Sequence, residues 1–395
     1  MKIVFVSNYY SHHQKEVSET LFSLTSGEYR FIETAYMEKE RTELGWGGND
    51  KPSYVLNIQE SPELNDICVN YINNADVIIT GSAPEYLFRK AIKHHKLIFR
   101  YAERPFKDRN IYDLGYPIRF LRYHLSTLAR SNVYMLCASA FTAADYNKYA
   151  LFRNKVIKWG YFPETRIYPN IDKVINDKKK KSILWCGRFL DWKHPDDAIK
   201  VAKQLKEEEL DFTLNMIGIG PMLEEIESMI NEYNLNDCVT LLGAMKPTQV
   251  RTLMEESEIV LFTSDFQEGW GAVLNEAMNS ACAVVASHAA GSTPFLISYG
   301  ENGYIYKSGD IGELTLITKT LLNDMQLSHR LGKRAYETIT NMWNAKNATE
   351  RLYSTCEKIV NGDKELQFYP EGPCSKAPIL EDNWFDVYER NIHEK

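Results

Sequence analysis

Several features are scarce in this 395-residue chain, and each absence argues against a class of protein. The seven cysteines are scattered and form no C-x-x-C pair, so the sequence offers neither a disulfide framework nor a zinc framework. No apolar run approaches the roughly 18 residues of a membrane span. The apolar run at 3–6 is too short for a signal-peptide core. We therefore expect a cytoplasmic protein, and peripheral contact with the inner face of the cell membrane stays an open alternative.

Basic charge is also scarce, since 46 Lys and Arg residues face 53 Asp and Glu residues and give a net charge of -7. A nucleic-acid ligand needs a basic face, so nucleic acid is not expected as the main partner. No D-x-D follows an apolar strand, and the sequence therefore predicts no metal site. Neither "KIVFVSNYYSHHQ" (2–14) nor "MIGIGPML" (216–223) completes G-x-G-x-x-G, which argues against a nicotinamide oxidoreductase.

The composition, with 44% hydrophobic and 25% charged residues, is that of a soluble globular protein, and the length predicts two domains. In both halves, short β-branched segments alternate with helix-like segments, a pattern typical of α/β domains with doubly wound parallel sheets. The predicted parts are an N-terminal Rossmann-like domain at 1–168, a linker at 169–181, a C-terminal domain at 182–360 and a tail at 361–395. The tail is rich in aromatics and proline, and we expect it to be ordered, with a return to the first domain as one alternative.

The apolar runs predict strands in both halves of the chain. The predicted strands are 2–8, 75–81, 95–103, 133–139, 155–163, 182–189, 212–218, 239–243, 257–264, 282–288 and 303–307. Two such domains facing each other would form an interdomain cleft, and ligands of these sheets bind outside the carboxyl ends of the strands. The loops that follow the strands are therefore the places to look for a site.

Two cations follow the predicted strand 182–189. Arg188 and Lys193 could clamp a diphosphate, with forked contacts from the guanidinium and a point charge from the ammonium. They could equally be solvated surface charges.

The stretch "EGWGAVLNEAM" (268–278) follows the predicted strand 257–264. Its glycines, Gly269 and Gly271, leave backbone N–H groups open to an anion where a helix begins. If a helix starts near residue 270, Glu268 and Glu276 lie roughly 12 Å apart, whereas paired glycosidase carboxylates lie about 5 to 9.5 Å apart. The two glutamates therefore suit opposite ends of an extended ligand, such as a nucleotide sugar, better than a reacting pair. The alternative is a charge at a helix start and an ordinary helix former.

In its order of motifs, the second half resembles the retaining GT-B glycosyltransferases of family 4 (GT4). The segments that carry the resemblance are "GRFLDWKHPDDAIKVAKQL", "MIGIGP", "VTLLGAMK", "FTSDFQEGWGAVLNEAM" and "GSTPFLISYGENGYIY". The resemblance implies that Glu268 faces the hydroxyls of a donor sugar, that Glu276 holds ribose hydroxyls, and that Arg188 and Lys193 neutralise the diphosphate. It also implies backbone contacts to the donor. The residues concerned are Gly269, Trp270, Gly271, Ala272 and Val273 and, for the base, Gly243, Ala244 and Met245.

Two positions depart from the family pattern. The loop after the first strand reads "NYYSHHQ" (8–14) where the family often has glycines, and Phe295 stands where it usually has a glutamate. In that loop, His13 or Gln14 is a candidate to reach the cleft, whereas His12 could simply be exposed.

The resemblance also implies an acceptor side in the first domain. There, Glu103 in "FRYAERPFKDR" (99–109) is a candidate for binding an acceptor hydroxyl, and a structural ion pair is the equal alternative. The segment "YPIRFLRYHLSTLARS" (116–131) interleaves arginines with aromatics and leucines. We favour an amphipathic core helix over an interfacial helix that meets a lipid-linked acceptor.

The leading hypothesis is a metal-independent retaining glycosyltransferase that needs no cofactor. Its donor would be a nucleotide-diphosphate sugar, UDP- or GDP-linked, and its acceptor a glycan or a lipid-linked glycan of a cell-surface polysaccharide or glycolipid. Helix dipole, Arg188 and Lys193 would stabilise the leaving diphosphate. Two alternatives are a non-catalytic glycosyltransferase-like partner subunit and a sugar-nucleotide epimerase of the same fold.

Overall fold

The chain divides into two compact units, each built around one parallel sheet. The first unit consists of Met1–Glu164 and Trp343–Glu381, and the second of Thr165–Met342 together with the chain from Asp382 onward. This architecture confirms the predicted pair of doubly wound α/β domains. The computed structural model describes residues 1–38, 51–107, 115–126, 130, 132–363 and 366–386.

The sheet of the first unit has the strand order β3-β2-β1-β4-β5-β6-β7, and that of the second unit has the order β10-β9-β8-β11-β12-β13. The strands are β1 Ile3–Ser7, β2 Tyr29–Glu33, β3 Val55–Asn57, β4 Val77–Thr80, β5 Leu97–Ala102, β6 Val133–Cys137, β7 Val156–Lys158, β8 Lys179–Cys186, β9 Thr213–Ile217, β10 Val239–Gly243, β11 Ser257–Phe262, β12 Ala283–Ser287 and β13 Tyr304–Tyr306. Sequence analysis missed β2, in which Arg30 interrupts the apolar run, and β3, which is only three residues long.

Helices connect the strands in both units. They are α1 His12–Leu24, α2 Pro62–Asn74, α3 Arg89–Lys93, α4 Tyr116–Leu125, α5 Thr142–Asn147, α6 Ile171–Asn176, α7 Pro195–Glu207, α8 Leu223–Glu232, α9 Pro247–Glu256, α10 Ala272–Asn279, α11 Thr293–Leu296, α12 Ile311–Asn323, α13 Met325–Asn341 and α14 Ala345–Val360. The central strands β1, β4, β11 and β12 are buried along their whole length. Helices cover both faces of such a sheet, and its strands therefore read as continuous apolar runs.

The boundary of the second domain differs from the predicted one. The predicted domain extends to residue 360, whereas α14 belongs to the first unit and packs against α1. Helix α14 buries Ala348, Leu352 and Cys356 along one face. Such a stripe shows that a helix must be covered, but it does not tell which of two similar sheets covers it. The following tail stays with the first unit as far as Glu381, and there the Ala377 N–H donates to the Val156 carbonyl at 3.1 Å.

The predicted linker at 169–181 is folded into the second unit. It contains α6 and the start of β8, and Lys178 lies between them with only 7% of its surface exposed. The Lys178 ammonium donates to the carbonyl oxygens of Ser257 at 2.8 Å and Ser280 at 2.9 Å. A buried ammonium needs such acceptors. The lysine run at 178–181 is typical of a solvated linker, but its first residue, Lys178, lies in the interior.

The seven cysteines are free thiols in this structure. Within the described part of the chain, no helix is both long enough and apolar enough to cross a membrane.

Candidate functional site

The predicted donor-side residues follow β8 and β11, which are neighbours in the second sheet. Between these two strands the chain order of the sheet reverses, because β9 and β10 lie on one side and β12 and β13 on the other. At such a reversal the loops at the carboxyl ends diverge and leave a crevice for a ligand. Arg188 and Lys193 lie in the loop after β8, and Glu268 lies in the loop after β11.

Buried hydrogen bonds fix the position of Lys193. The Thr263 hydroxyl, which is 1% exposed, accepts the indole N–H of Trp185 at 2.8 Å and donates to the Lys193 carbonyl at 2.6 Å. The Asp265 N–H donates to the Trp192 carbonyl at 2.9 Å. The loop after β8 is therefore tied to the loop after β11, and the position of Lys193 depends on both.

Lys193 and Glu268 form an ion pair. Their side chains are 14% and 12% exposed, so most of their surface is withdrawn from water. The Ser264 hydroxyl also donates to Glu268 Oε2, at 3.1 Å, and the Lys193 ammonium lies 4.5 Å from the centre of the Trp192 ring. The sequence predicted that both residues would contact the same ligand, and in the structure they contact each other.

Two glycines, Gly187 and Gly218, allow close packing next to Lys193. A Cβ on Gly187 would lie 3.2 Å from Lys193 Cδ, and a Cβ on Gly218 would lie 1.8 Å from the Gly187 carbonyl oxygen. Gly218 belongs to the "MIGIGP" segment, whose loop runs beside residues 187–189: the Phe189 N–H donates to the Ile219 carbonyl at 2.9 Å. These glycines thus permit close backbone packing. Arg188 is exposed at this edge.

Helix α10 begins about two residues later than the sequence suggested. Gly271 precedes it with φ of +87°, in the left-handed region, and a Cβ there would lie 2.2 Å from Phe262 Cζ. Only glycine fits this conformation and this space without strain. The helix therefore starts at Ala272, and the predicted spacing of roughly 12 Å between the two glutamates, which assumed helical rise throughout, does not apply.

The start of α10 offers backbone donors. The first N–H groups of a helix, here those of Ala272 and Val273, have no acceptor within the helix and carry partial positive charge. Both residues are partly exposed, whereas Gly269 is buried. The helix start thus offers partial positive charge, which would favour an anion, after the loop that carries Glu268.

The Trp270 side chain lies in the core. It is 0% exposed, and its indole N–H donates to Asn275 Oδ1 at 2.8 Å. Phe295, the residue that departs from the family pattern, is 8% exposed and lies 6.2 Å from the Trp270 ring. Trp270 can therefore contact a ligand only through its backbone. The buried Phe295 ring packs near the Trp270 ring.

Glu276 lies on α10, partly exposed, near Cys186 at the end of β8. Burial, helped by the Glu276 charge and opposed by that of Lys193, raises the pKa of the Cys186 thiol to about 12. Cys186 therefore stays a neutral thiol and lies within electrostatic range of both Glu276 and Lys193. Sequence analysis did not single it out, because a lone cysteine at a strand end has no motif.

The predicted base-binding segment lies at the end of β10. Gly243 has φ of +69°, its Cβ position is open, and its carbonyl accepts the Gly218 N–H at 2.9 Å. Ala244 is exposed and Met245 is partly exposed. The segment can present backbone groups as predicted.

In the first unit, the candidates His13 and Glu103 both contact Tyr161. The His13 ring stacks on Tyr161 with centroids 5.4 Å apart, and the Tyr161 hydroxyl donates to Glu103 Oε1 at 2.7 Å. The three residues follow β1, β5 and β7, so all lie at the carboxyl edge of the first sheet. We missed Tyr161 in the sequence because the segment "GYFPE" carries no recognised motif.

Glu103 also forms a structural ion pair, which was the alternative to a role in acceptor binding. Its Oε2 lies 2.7 Å from the Lys107 ammonium. Its side chain is 27% exposed, so both contacts form at an accessible position. Arg104, by contrast, is a core residue. It is 3% exposed and pairs with Asp145 at 3.1 Å.

The loop at 8–14 ends in the start of α1. Gln14 caps the helix, because its Oε1 accepts the Ser11 N–H at 3.1 Å, and this leaves it little freedom to reach a ligand. His12 packs on His13 with ring centroids 3.9 Å apart. Burial lowers the pKa of His13 to about 3, with a smaller contribution from His12, so the His13 imidazole is neutral near pH 7.

His194 and Asp265 connect the two donor-side loops and were not predicted. His194 Nε2 lies 3.5 Å from Asp265 Oδ2, and this hydrogen bond raises the pKa of His194 above its ordinary value. Burial would raise the pKa of Asp265, but the bonds from His194 and from the Gln267 N–H outweigh burial and lower it. The pair thus favours the charged form of both groups.

His194 also belongs to a group with metal-ligand chemistry in the described part of the chain. Ligand atoms of His194, Asp196 and Asp197 lie within 4.8 Å of one another. The Lys200 ammonium lies 2.5 Å from Asp196 and 3.1 Å from Asp197, so a cationic side chain already bridges the two carboxylates.

We expect the His194–Asp265 pair to stabilise the fold in a pH-dependent way. Because the folded-state pKa of His194 is raised, its contribution is present below the unfolded pKa and is lost as pH rises through the folded pKa. The contribution of Asp265 is present above its unfolded pKa of about 3.9 and is lost at lower pH. The Tm of His194→Gln should therefore fall below wild type by a degree or two at about pH 5.5 and by less at about pH 8.5.

Thermal unfolding at the two pH values measures this difference. His94→Gln, at an exposed histidine of the first unit, is the control and should follow wild type at both. An equal loss for His194→Gln at both pH values would contradict the ion pair.

Residues 169–338, less than half of the chain, match the family model "Glycosyl transferases group 1". N-acetyl-alpha-D-glucosaminyl L-malate synthase of Bacillus anthracis is 26% identical over 218 residues, which cover 53% of this chain and 56% of that protein. The putative colanic acid biosynthesis glycosyltransferase WcaL of Escherichia coli is 26% identical, covering 45% of each protein. The chain thus spans about half the length of these relatives.

Solved structures resemble the chain over nearly its full length. HepE from Anabaena, in complex with UDP, has a TM-score of 0.67 at 16% identity and covers 91% of this chain and 100% of HepE. A TarM variant from S. aureus, in complex with UDP and alpha-GlcNAc-glycerol among other ligands, has a TM-score of 0.63 at 14% identity and covers 92% and 100%. At this identity the likeness concerns the fold. Residues 169–338 are thus similar to the group 1 glycosyl transferases, and the chain has the GT-B fold.

Proposed function

We propose that the protein transfers a sugar from a nucleotide-diphosphate donor to an acceptor hydroxyl, with retention of the anomeric configuration. The observation that carries this proposal is the Lys193–Glu268 ion pair beside the start of α10. A cation, a carboxylate and free helix N–H groups together suit a ligand with an anionic middle and hydroxyl-bearing ends.

The diphosphate would lie against the cationic elements. Lys193 and the exposed Arg188 neutralise its charge, and the N–H groups of Ala272 and Val273 donate to its oxygens. These donors are already in place before reaction, so they stabilise the charge that develops on the leaving phosphate.

The two glutamates would bind the hydroxyl-bearing ends of the donor. Glu268, held by Lys193 and Ser264, accepts from hydroxyls of the donor sugar, and Glu276 accepts from those of the ribose. Gly243, Ala244 and Met245 would contact the base through their backbone groups. The similar structures in complex with UDP support a uridine nucleotide, with a guanosine nucleotide as the second candidate.

Transfer would follow a front-face route without a metal ion. The bond between the sugar C1 and the phosphate oxygen breaks, and a bond between C1 and the acceptor oxygen forms on the same face. The acceptor proton passes to the departing phosphate oxygen. In this mechanism Lys193 carries the largest share of the charge stabilisation, because Thr263 holds its backbone carbonyl and Glu268 pairs with its ammonium.

The acceptor would bind at the cluster of His13, Tyr161 and Glu103. A neutral imidazole and a tyrosine ring offer apolar faces to a sugar, and the Glu103 carboxylate accepts from its hydroxyl. The name of the similar protein WcaL, a putative colanic acid biosynthesis glycosyltransferase, supports a polysaccharide acceptor.

Lys193→Ala should lower donor turnover by about 10² to 10³-fold, because one fixed charge at the leaving group is lost. Glu276→Ala should weaken donor binding by at least about tenfold, because ribose hydroxyls lose a charged acceptor. A thermal-shift screen of UDP- and GDP-linked sugars identifies the donor. The kcat and KM for hydrolysis of that donor then measure the loss of turnover in Lys193→Ala and the weaker binding in Glu276→Ala.

Lys319→Ala is the matched control, since Lys319 pairs with Glu208 elsewhere in the second unit. It should keep wild-type hydrolysis. Near-normal turnover of Lys193→Ala would show that the site is assigned wrongly.

Tyr161→Phe should raise the acceptor KM by about tenfold and leave donor hydrolysis unchanged, because Glu103 loses the hydroxyl that orients it. Transfer to a panel of octyl glycosides measures this. Tyr134→Phe, at the opposite end of the first sheet, is the control. A change in donor hydrolysis alone would place Tyr161 outside the acceptor site.

We also propose that α4 contacts the membrane that carries a lipid-linked acceptor. Ile118, Leu121 and Leu125 follow the helical spacing of one face and are 72%, 59% and 72% exposed. No residue of α4 is buried, so the prediction of a core helix is wrong for this part of the segment. Residues 127–129 and 131 of the segment lie outside the described residues.

The polar side of α4 faces the protein. Arg119 Nε donates to the Tyr149 hydroxyl at 3.0 Å, and the Tyr116 ring stacks on Tyr149 with centroids 4.9 Å apart. Arg122 is exposed on the outer side, and α4 contains no acidic residue. An outward aliphatic stripe with an added cation suits an anionic bilayer surface.

Replacing Ile118, Leu121 and Leu125 by serine should reduce binding to vesicles of phosphatidylglycerol and phosphatidylcholine by about tenfold or more. Leu316→Ser, at a lone leucine of α12 that is 64% exposed, is the control and should bind as wild type does. Vesicle sedimentation measures both, and equal binding of the triple variant would refute the membrane contact.

A further inference from the structure

The C-terminal stretch contains an element that we propose acts on the donor site. We infer that Trp384, Phe385 and Asp386 form a strap that positions the loop carrying Glu268. This inference rests on the proposed function only where it concerns donor binding. Its structural part concerns the contacts between the strap and the donor-side loops.

The strap is firmly seated on the second unit. Phe385 is 1% exposed, and its ring lies 5.4 Å from that of His288, which directly follows β12. The Trp384 indole N–H donates to the His288 carbonyl at 3.2 Å. Asp386 pairs with Lys307 at 2.7 Å. A ring, a hydrogen bond and an ion pair thus converge around the ends of β12 and β13.

His288 is held on its other sides as well. Its N–H donates to the Tyr306 carbonyl at 2.9 Å, and its Nδ1 accepts the Ser308 N–H at 2.9 Å. The Phe266 ring lies edge-on to it at 5.3 Å. His288 is therefore sandwiched between the strap and Phe266, which precedes Glu268 by two residues.

A second connection runs through the backbone. The Gly291 N–H donates to the Glu268 carbonyl at 3.2 Å, and the Ser292 N–H donates to the Trp270 carbonyl at 3.2 Å. The loop that His288 begins is thus bonded to the glycine-flanked stretch on both sides of Gly269. Two independent paths, through the Phe266 ring and through these bonds, lead from the strap to Glu268.

The strap itself carries no group that the proposed reaction needs. Its residues are positioning residues, because they would act through His288 and not on the donor. The chain before it is anchored in the first unit, where Glu381 pairs with Lys148 at 3.0 Å.

Phe385→Ala tests the strap with two readouts. Hydrogen exchange compares the amides of residues 264–272 and 288–292 with those of α1 in the same sample. Calorimetry measures the affinity for UDP and for GDP, whose diphosphate would bind the N–H groups of Ala272 and Val273, directly after the same loop. We expect exchange in the two loops to rise by about fivefold or more, with α1 unchanged, and the nucleotide affinity to fall by about tenfold.

Tyr369→Ala is the matched control. Tyr369 is another aromatic of the C-terminal stretch, but it stacks on Arg351 in the first unit, with the guanidinium 4.7 Å from the ring centre. This variant should leave exchange at 264–272 and nucleotide affinity as in wild type. If Phe385→Ala does not fold, Trp384→Phe replaces it. That variant keeps a ring and removes the indole donor, and it should raise exchange in the same loops to a smaller degree.

The outcomes separate the strap from the proposed function. Unchanged exchange at 264–272 in the folded strap variant overturns the strap, whatever the nucleotide affinity. Faster exchange with unchanged UDP and GDP affinity overturns its action on donor binding. If wild type binds neither nucleotide, the proposed donor is wrong, and the exchange comparison still decides whether the strap positions the loop.

Discussion

The ion pair between Lys193 and Glu268 is the interaction on which the proposed donor side depends. Withdrawing two charges from water is costly, so a pair of this kind persists only where the surroundings fix both partners. Here Thr263 holds the Lys193 carbonyl, and Ser264 donates to the carboxylate. Both residues follow β11, so one loop supports both charges. The adjacency of β8 and β11 is therefore what creates the site.

Close backbone packing around this pair explains the glycines. Gly271 turns the chain in a left-handed conformation against Phe262, and Gly218 lies against the Gly187 carbonyl. Side chains at these positions would push the loops apart. The aromatic strap has a related effect from the other side, since it presses His288 and the following loop onto the stretch around Glu268. Small residues and buried rings together keep the polar groups in place.

The sequence predicted much of the fold, and it pointed to residues of the proposed donor side more than to those of the proposed acceptor side. Apolar runs identified most strands, but β2 and β3 escaped because a charge or a short length hid them. The glycine-flanked stretch directed attention to Lys193 and Glu276 by resemblance, and these assignments stay predictions. Tyr161 had no signal, because its role comes from contacts with two residues far away in the chain.

The sequence by itself determined the α/β class, the two sheets and the positions of the loops that carry charge, since periodicity and glycine placement are local properties. Only the tertiary structure decided which of these charges meet. It put α14 on the first unit, Lys178 in the interior, the Trp270 ring in the core, and the strap on His288. Each of these placements depends on long-range packing, because several apolar surfaces of the chain could cover the same apolar face.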